Sequence, residues 1–380
     1  MKLVFITGSL VHGGAERQSI MLANRLAERG HECHAVYIKN DPSQLFRLKL
    51  APPSSVRCLH ARRYFDLTAL SHLHALLARL DPAVVLATNS YALMYAGLAR
   101  AGAPLVVTLH STYLQKVKEK LQMLAYRPLY WSAEAAVFVC EGQRRHWLRR
   151  AVFARRSEVI YNGIDAEHWR PDAAGGEAVR RALGFAAGDF VIGLSAVLRP
   201  EKNAVQLVEA IARLRLRGVP ARALIIGDGP QRALLEQRAL ELGIGEHVAI
   251  SGFQQEVRPF VCACDAMALT SFTEALSLAA IEAMALGKPV VHPEVGGAAE
   301  LIEHGEDGLL FPVRDTAALV EALARLADPQ FRQLLGARAR ATVRARFSES
   351  AMVERYERLI SEVASTRRKH GQLRKRAAAH

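Results

Sequence analysis

The chain of 380 residues is long enough for two domains, since one domain takes about 100–200 residues. Hydrophobic residues make up 51% of it and charged residues 23%, which excludes a largely disordered chain. The net charge of +13 indicates an anionic partner, such as a phosphorylated substrate, a membrane surface or a nucleic acid.

No run of about 18 uncharged apolar residues occurs, which argues against a membrane-spanning helix. The first residues lack the basic start and the cleavage site of a signal peptide. The five cysteines are an odd number and include no C-x-x-C pair, so neither a disulfide framework nor a zinc site is indicated. We therefore expect a cytoplasmic protein.

Short apolar runs alternate with helical patterns along the whole chain. The predicted strands are residues 3–6, 33–38, 83–86, 104–108, 136–139, 190–194, 223–226, 248–250, 266–269 and 289–291. These runs are too uniformly apolar to be half exposed, so the pattern predicts parallel sheets that are covered on both faces. In residues 165–188, Pro171, Gly175 and Gly176 interrupt any regular element and predict a linker.

The prediction is therefore an α/β fold of two Rossmann-like, doubly wound domains that face each other across a deep cleft. Ligands of such domains bind at the carboxyl ends of the strands. We expect the first domain to span residues 1–165 and the second to span 166–347. Residues 348–366 are predicted as a helix that crosses back to the first domain, and the basic residues 367–380 as a disordered tail.

Two carboxylates, Glu274 and Glu282, lie eight residues apart at the predicted start and middle of a helix. Eight helical residues span about 12 Å, too far for the two carboxylates of a retaining glycosidase. They could hold opposite ends of one extended ligand, with a phosphate at the helix N-terminus between them. The alternative is a helix-dipole charge and a solvated position, although Glu282 stands in an otherwise apolar run.

Arg199 and Lys202 follow the first predicted strand of the second domain. A cationic pair in a strand-end loop suits a diphosphate, because arginine binds through its planar fork and lysine as a point charge. The same residues would also be ordinary on a protein surface.

A glycine-containing turn at residues 8–17 joins the first strand to its helix, with Gly13 and Gly14 at the helix start. Glycine there allows a ligand to approach the backbone, or merely allows a tight turn. The spacing is not that of G-x-G-x-x-G, and no P-loop lysine follows. His110 ends another strand, and Gly227 lies in a strand-end turn; a structural role remains open for each.

Together these segments resemble the family 4 glycosyltransferases, which are retaining enzymes of the GT-B architecture with an E-x7-E motif. The matching segments are residues 13–17, 159–165, 199–203, 227–230, 251–253, Asp265, the pair of Glu274 and Glu282, 296–300 and 305–311. Their order and spacing cover nearly the whole chain.

The resemblance implies transfer of a sugar from a nucleoside diphosphate donor, held by the second domain, to a glycan or lipid-linked acceptor, held by the first. The implied process is polysaccharide, lipopolysaccharide or glycolipid biosynthesis. Glu274, His110, Lys202 and Arg199 would be catalytic, and the two cations would replace a metal at the leaving diphosphate. The implied donor-binding residues are Gly13, Gly14, Arg199, Lys202, Gly227, Gly252, Glu274, Ser277, Leu278 and Glu282.

Two positions depart from the family pattern. Many members have arginine soon after the strand that precedes the lysine, whereas this chain has Ala196-Val197-Leu198 and its arginine follows at Arg199. Where members often have serine after the fourth strand, this chain has Cys140. Lys202 therefore matches the pattern more closely than Arg199 does.

Basic stretches at residues 116–127 and 144–156 are interleaved with aromatic and aliphatic residues. They favour an anionic membrane surface, or are simply the charged outer faces of helices. No nucleic-acid recognition motif accompanies them, so we expect no nucleic-acid partner. A phosphorylase or epimerase of the same fold, or a non-catalytic nucleotide-sugar-binding scaffold, remains an alternative function.

Overall fold

The computed structural model describes residues 1–11, 13–111 and 117–377, which form two α/β units. The first unit comprises residues 1–163 and the chain from residue 350 onward. The second comprises Ile164–Glu349. The chain therefore leaves the first unit and later re-enters it.

The sheet of the first unit has seven strands, all parallel. They are β1 (Lys2–Thr7), β2 (Glu32–Tyr37), β3 (Val56–Cys58), β4 (Val84–Thr88), β5 (Leu105–Leu109), β6 (Ala135–Phe138) and β7 (Arg156–Val159). Their order across the sheet is β3-β2-β1-β4-β5-β6-β7. The order reverses between β1 and β4, the place where doubly wound sheets bind ligands.

Helices cover both faces of this sheet. They are α1 (Gly14–Glu28), α2 (Leu67–Leu80), α3 (Asn89–Ala99), α4 (Val117–Ser132), α5 (Glu141–Leu148) and the C-terminal helix (Glu349–Ala377). On β1, Leu3 and Phe5 lie in one buried cluster, and Val4 and Ile6 lie in another. Burial on both faces explains the uniformly apolar strands, and the predicted parallel sheet is confirmed.

The C-terminal helix completes one of these two cores. Tyr356, Leu359 and Ile360 are buried in the same cluster as Leu3 and Phe5. The helix is described through Ala377 and so includes most of the segment that the sequence analysis predicts to be disordered.

The second unit contains a six-stranded parallel sheet. Its strands are β8 (Phe190–Ser195), β9 (Ala221–Ile226), β10 (Val248–Ile250), β11 (Ala266–Ala268), β12 (Val290–Pro293) and β13 (Leu309–Phe311). Their order is β10-β9-β8-β11-β12-β13, which reverses between β8 and β11. This reversal places the loops after β8 and β11 side by side at the carboxyl edge of the sheet.

The helices of the second unit complete the doubly wound arrangement. They are α6 (Ala173–Ala182), α7 (Val205–Leu216), α8 (Arg232–Glu241), α9 (Arg258–Ala263), α10 (Leu278–Ala285), α11 (Ala298–Leu301), α12 (Thr316–Arg325) and α13 (Pro329–Arg346), and the C-terminal helix is α14. Within the described parts of the chain, no helix is both long enough and apolar enough to cross a membrane.

The expectation that residues 165–188 lack regular structure is wrong, because they contain helix α6. Asp172 Oδ1 caps the helix by accepting a hydrogen bond from the Gly175 amide at 2.9 Å. An ideal Cβ on Gly176 would lie 2.9 Å from the carbonyl carbon of Cys262. Gly176 therefore allows α6 to pack closely on α9, so this glycine is a packing residue and not a helix breaker.

The sequence analysis also missed three strands, β3, β7 and β13, all at sheet edges. The strands β3 and β7 carry charged residues, with the sequences VRC and RSEV. An edge strand has a neighbour on one side only and needs no continuous apolar run, so hydrophobicity gives little signal for it.

We expect Ile360→Ala to destabilise the first unit by about 2–5 kcal/mol, because it leaves a cavity under the sheet. Hydrogen exchange followed by mass spectrometry should show faster exchange in β1 and β2 and unchanged exchange in β8 and β9. Arg358→Ala, an exposed position on the same helix, is the matched control and should leave both sheets unchanged. Equal protection in Ile360→Ala and wild type would contradict this role of α14.

Candidate functional site

The loops that follow β8 and β11 bring together the two most informative charged residues of the second unit. Lys202 lies in a short 3₁₀ helix, Pro200–Lys202, and Glu274 lies in the loop between β11 and α10. Lys202 Nζ is 2.6 Å from Glu274 Oε1. Their side chains are 28% and 13% exposed, so the ion pair is largely shielded from water.

Neighbouring polar groups fix this pair. Ser271 Oγ donates a hydrogen bond to Glu274 Oε1 at 2.8 Å. Burial raises the pKa of Glu274, whereas the Lys202 ammonium and the Ser271 hydroxyl lower it. The lowering effects together are larger, so the pKa of Glu274 lies below its usual value. Glu274 is therefore a carboxylate at neutral pH and can accept hydrogen bonds from ligand hydroxyls.

The two loops are also joined through their backbones. Thr270 Oγ1 donates to the Lys202 carbonyl at 2.9 Å, and the Phe272 amide donates to the Glu201 carbonyl at 2.9 Å. A small cavity at this junction is lined by several polar residues. They include Ser195, Lys202, Thr270, Ser271, Glu274 and Ser277.

A third loop, between β12 and α11, packs against the backbone of Glu274 and Ala275. The Gly297 amide donates to the Ala275 carbonyl at 2.7 Å. Gly296 has a φ of +57°, and an ideal Cβ there would lie 2.0 Å from the Glu274 carbonyl oxygen. Only glycine allows this approach without a backbone shift, so Gly296 positions Glu274.

His292, at the end of β12, is a further buried polar residue near this site. Its Nδ1 lies 2.7 Å from the Pro293 carbonyl, which can only accept, so Nδ1 carries the proton. Burial lowers the pKa of His292, while the Pro293 carbonyl and the charge of Glu274 partly oppose this effect. The imidazole is therefore neutral at neutral pH.

The predicted helix start at Glu274 is wrong, since α10 begins at Leu278. Ser277 is the N-cap, and its Oγ accepts a hydrogen bond from the Ala280 amide at 3.3 Å. Glu274 therefore lies in the preceding loop, and the helical spacing of about 12 Å does not apply. Glu282 lies within α10 and is only 4% exposed, so the alternative of a solvated helix position is also wrong.

Arg199 lies close to Lys202 in sequence but in a different environment. It is exposed and immediately precedes the 3₁₀ helix. Among the described residues, its guanidinium has no ion-pair partner. The structure thus supplies one cation held against Glu274 and a second one open to an anion.

Gly227 and Gly252 shape the neighbouring strand ends. They form an antiparallel bridge with each other and have φ values of +140° and +71°. An ideal Cβ on Gly227 would lie 1.9 Å from the Ala196 carbonyl oxygen. Gly227 therefore allows its turn to pack against the start of the loop that carries Lys202, and its donor-binding role remains a prediction.

In the first unit, the glycine turn leads directly into α1, with Gly13 as the N-cap and Gly14 as the first helical residue. Gln44, which is 2% exposed, donates from Nε2 to the carbonyls of Val11 and Gly13. The buried Gln44 side chain therefore fixes the backbone of this turn through two hydrogen bonds. Position 12 lies outside the described residues.

His110 directly follows β5, and its amide donates to Asn89 Oδ1 at 3.0 Å. Burial lowers the pKa of His110 to about 4, so the side chain is a neutral hydrogen-bonding group at neutral pH. Cys140, the family departure noted above, caps α5: its Sγ accepts a hydrogen bond from the Gln143 amide at 3.2 Å.

The sequence analysis missed Thr270, Ser271, His292 and Gly296 as parts of the site. Thr270 and Ser271 follow a predicted strand directly, and this position could have marked them. His292 ends a buried strand and gave no such signal. Gly296 belonged to a matching segment, but its close approach to Glu274 depends on tertiary contacts.

Two family models match most of the chain. The model of glycosyltransferase family 4 matches residues 12–168, and that of the group 1 glycosyl transferases matches residues 176–342. The chain belongs to the family 4 glycosyltransferases. The departures at Arg199 and Cys140 therefore occur within a glycosyltransferase.

Two curated proteins with different names are similar to this glycosyltransferase. N-acetyl-alpha-D-glucosaminyl L-malate synthase from Bacillus anthracis is 30% identical over 54% of this chain and 54% of its own length. The chain thus spans about half the length of this relative. The lipopolysaccharide core biosynthesis glycosyltransferase LpsD from Rhizobium meliloti is 27% identical over 90% of this chain and 94% of its own length.

Solved structures show the same GT-B fold. Anabaena HepE in complex with UDP and glucose has a TM-score of 0.85 at 22% identity, covering 95% of this chain and 100% of HepE. At this identity, the likeness establishes the fold of the glycosyltransferase and leaves its substrate to be determined.

We expect Lys202→Met to destabilise the glycosyltransferase by about 1–3 kcal/mol at neutral pH, because a shielded carboxylate loses its partner. The pKa of Glu274 should rise, since burial would no longer be opposed by the ammonium. In the wild type, the pKa of Glu274 is lower in the folded than in the unfolded state. The ionised carboxylate therefore stabilises the fold at pH values above the unfolded-state pKa, and this contribution is lost as the pH falls. The difference between wild type and variant should therefore shrink on acidification, measured by urea unfolding between pH 7 and pH 4.

The double variant Lys202→Met/Glu274→Gln is the control for this experiment, because it removes both charges. Its free energy of unfolding should depend less on pH than that of Lys202→Met in the same range. A pH-independent difference between wild type and Lys202→Met would show that Glu274 does not depend on the lysine charge.

We expect Gly296→Ala to lower the transfer rate on the order of a hundredfold, because it would displace Glu274, which we expect to contact the substrate, by about 1 Å. Gly305→Ala is the matched control, because Gly305 has a φ of +85° with no heavy atom within 4 Å of an added Cβ. The control should show only the cost of the left-handed backbone, about 1–2 kcal/mol of unfolding free energy. Equal activity in the two variants would contradict a positioning role for Gly296.

Proposed function

We propose that this glycosyltransferase moves a sugar from a nucleoside diphosphate sugar to a hydroxyl of a glycan or lipid-linked acceptor. The proposal includes retention of anomeric configuration, no metal cofactor, and a role in cell-envelope polysaccharide, lipopolysaccharide or glycolipid biosynthesis. The observation that carries it is the Lys202–Glu274 ion pair between the loops after β8 and β11. The enzyme would act in the cytoplasm, at the inner face of the membrane where its acceptor is lipid-linked.

In the proposed complex, the second unit binds the donor. Lys202 and the exposed Arg199 offer two cations to the diphosphate, and the N-terminal end of α10 adds backbone amides next to Ser277 and Leu278. Glu282 would hold the ribose hydroxyls. The complex of HepE with UDP supports a uridine nucleotide.

Glu274 would accept hydrogen bonds from hydroxyls of the donor sugar. Its low pKa favours this role, because an ionised carboxylate is a strong acceptor. The ion pair with Lys202 and the hydrogen bond from Ser271 make it a poor candidate for a nucleophile. Because the Glu274 carboxylate already binds Lys202 and Ser271, we favour a mechanism without a glycosyl-enzyme intermediate.

The proposed reaction then occurs on one face of the sugar. The bond between the anomeric carbon and the phosphate oxygen breaks, and its electron pair stays on the phosphate, where Lys202 and Arg199 offset the charge. The acceptor oxygen forms the new bond from the same face, and its proton goes to the departing phosphate oxygen. The configuration is thereby retained.

The first unit would bind the acceptor, near the carboxyl ends of β1 and β4. The turn at Gly13 and Gly14 would allow close approach of a ligand to the backbone. His110, a neutral imidazole, would hydrogen-bond a sugar hydroxyl without adding positive charge.

A thermal-shift panel of UDP, GDP, ADP and their sugar conjugates, with and without EDTA, tests the donor. We expect a shift of several degrees with one nucleotide series and no effect of EDTA. Loss of the shift in EDTA would contradict metal independence. No shift with any nucleotide would contradict the donor site.

Turnover separates the roles of the two glutamates. Glu274→Gln should lower kcat by about a hundredfold or more while donor binding persists, and Glu282→Gln should mainly weaken donor binding. Glu241→Gln, an exposed position in the same unit, is the control. Full activity of Glu274→Gln, a requirement for inorganic phosphate, or conversion of the free nucleotide sugar would each overturn the proposal.

A further inference from the structure

Helix α4 has two apolar faces, and one of them points to solvent. Leu121, Leu124, Pro128 and Trp131 follow one another at intervals of three and four residues, which places them on one side of the helix. Leu121 is 61% exposed, Leu124 47% and Trp131 45%. The opposite side of the helix belongs to the core of the first unit. We name the exposed set the α4 stripe.

The α4 stripe continues onto the turn between α5 and β7. The rings of Trp131 and Phe153 stack with centroids 5.9 Å apart and an interplanar angle of 29°. Trp131 Nε1 donates to the Ala151 carbonyl at 3.0 Å, which fixes the indole against this turn. Leu148 and Phe153 are themselves 40% and 42% exposed. Two segments thus form one exposed apolar surface.

Exposed arginines without carboxylate partners flank this turn in the sequence, whereas Arg156 in the same stretch pairs with Glu158 and Glu362. Arg145, Arg149, Arg150 and Arg155 are exposed, and within the described part of the chain none of them forms an ion pair. Nearby Arg144 differs, since it pairs with Glu141 at 2.9 Å. The sequence from residue 142 to residue 157 contains no aspartate or glutamate. Positive charge here is therefore available to an external anion.

We infer that the α4 stripe and the adjoining arginine turn form a docking surface for an anionic lipid bilayer. Tryptophan and phenylalanine are favourable at the headgroup level of a membrane, and arginines are attracted to anionic lipids. A soluble polyanion would use the arginines but would leave the leucines and the rings exposed to water. A bilayer interface satisfies both parts of the surface.

The inference deepens the proposed function, because it identifies how the enzyme would reach a lipid-linked acceptor. Only the link to a lipid-linked acceptor rests on the proposed function, and binding to the bilayer does not. Vesicle binding is measured without donor or acceptor, so a failure of docking is distinct from a failure of transfer.

Flotation of the full chain with vesicles, at physiological salt, is the first test. We expect recovery with vesicles that contain about one third anionic lipid and little recovery with purely zwitterionic vesicles. Trp131 provides a built-in reporter, since Trp147 and Trp169 are only 2% and 8% exposed. Emission should shift to the blue and be quenched by brominated lipid in the wild type, and this response should be largely absent from Trp131→Phe.

Charge variants test the arginine turn. Arg149→Gln/Arg150→Gln/Arg155→Gln should reduce vesicle binding by about tenfold or more, with the donor-induced thermal shift unchanged. The matched control is Arg57→Gln/Arg213→Gln/Arg344→Gln, which removes three exposed arginines elsewhere. It should bind vesicles nearly as well as wild type. Leu121→Gln/Leu124→Gln tests the apolar part and should also lower binding.

Several results would overturn the inference. Equal losses in the two triple variants would indicate a general charge effect. Unchanged Trp131 emission in the vesicle-bound protein would place the contact elsewhere. A dimer that Leu121→Gln/Leu124→Gln dissociates, together with absent vesicle binding, would show that this surface pairs two copies of the chain.

Discussion

The arrangement of the loops after β8 and β11 depends on one shielded ion pair, Lys202 with Glu274. A carboxylate that is only 13% exposed is costly unless it is paired and hydrogen-bonded, and Lys202 and Ser271 meet that requirement. The pair also links loops from two parallel strands, β8 and β11, whose carboxyl ends meet at the reversal of strand order. The same contact thus stabilises the loops and presents charged groups at their surface.

Glycines permit the close packing around this pair. Gly227 lets one turn approach the chain near Ala196, and Gly296 lets another approach the backbone of Glu274. The chemistry of the site therefore depends on residues that contribute no side-chain chemistry. This relation explains why the functional groups could be recognised in the sequence more easily than the residues that hold them.

Much of the fold could be predicted because the central strands are buried on both faces, as Leu3, Val4, Phe5 and Ile6 illustrate. Edge strands such as β7 escaped detection, because one open side allows charged residues. The strand-end positions of Lys202 and Glu274 could be predicted from the alternation of strands and helices. Their direct contact could not, because it depends on how two loops fold over each other.

The start of α10 shows why local sequence was insufficient. Residues 274–286 include many good helix formers, and the pattern predicts one continuous helix. In the structure, the Ala275 carbonyl accepts a hydrogen bond from Gly297, and Gly296 packs against the Glu274 carbonyl. These tertiary contacts favour a loop at this point, and Ser277 then caps the helix. Long-range packing has overridden local propensity.

The path of the chain has a consequence for biosynthesis. Along the sequence, the second unit is inserted between the two segments of the first. The second of these segments contains α14, whose buried residues Tyr356, Leu359 and Ile360 belong to the cluster that contains Leu3. On the ribosome, every residue of the second unit is made before this helix emerges. Part of one face of the first sheet therefore stays uncovered while the second unit can already fold, although Leu22 and Leu26 of α1 already pack on that face. The unit that begins first is thus completed last.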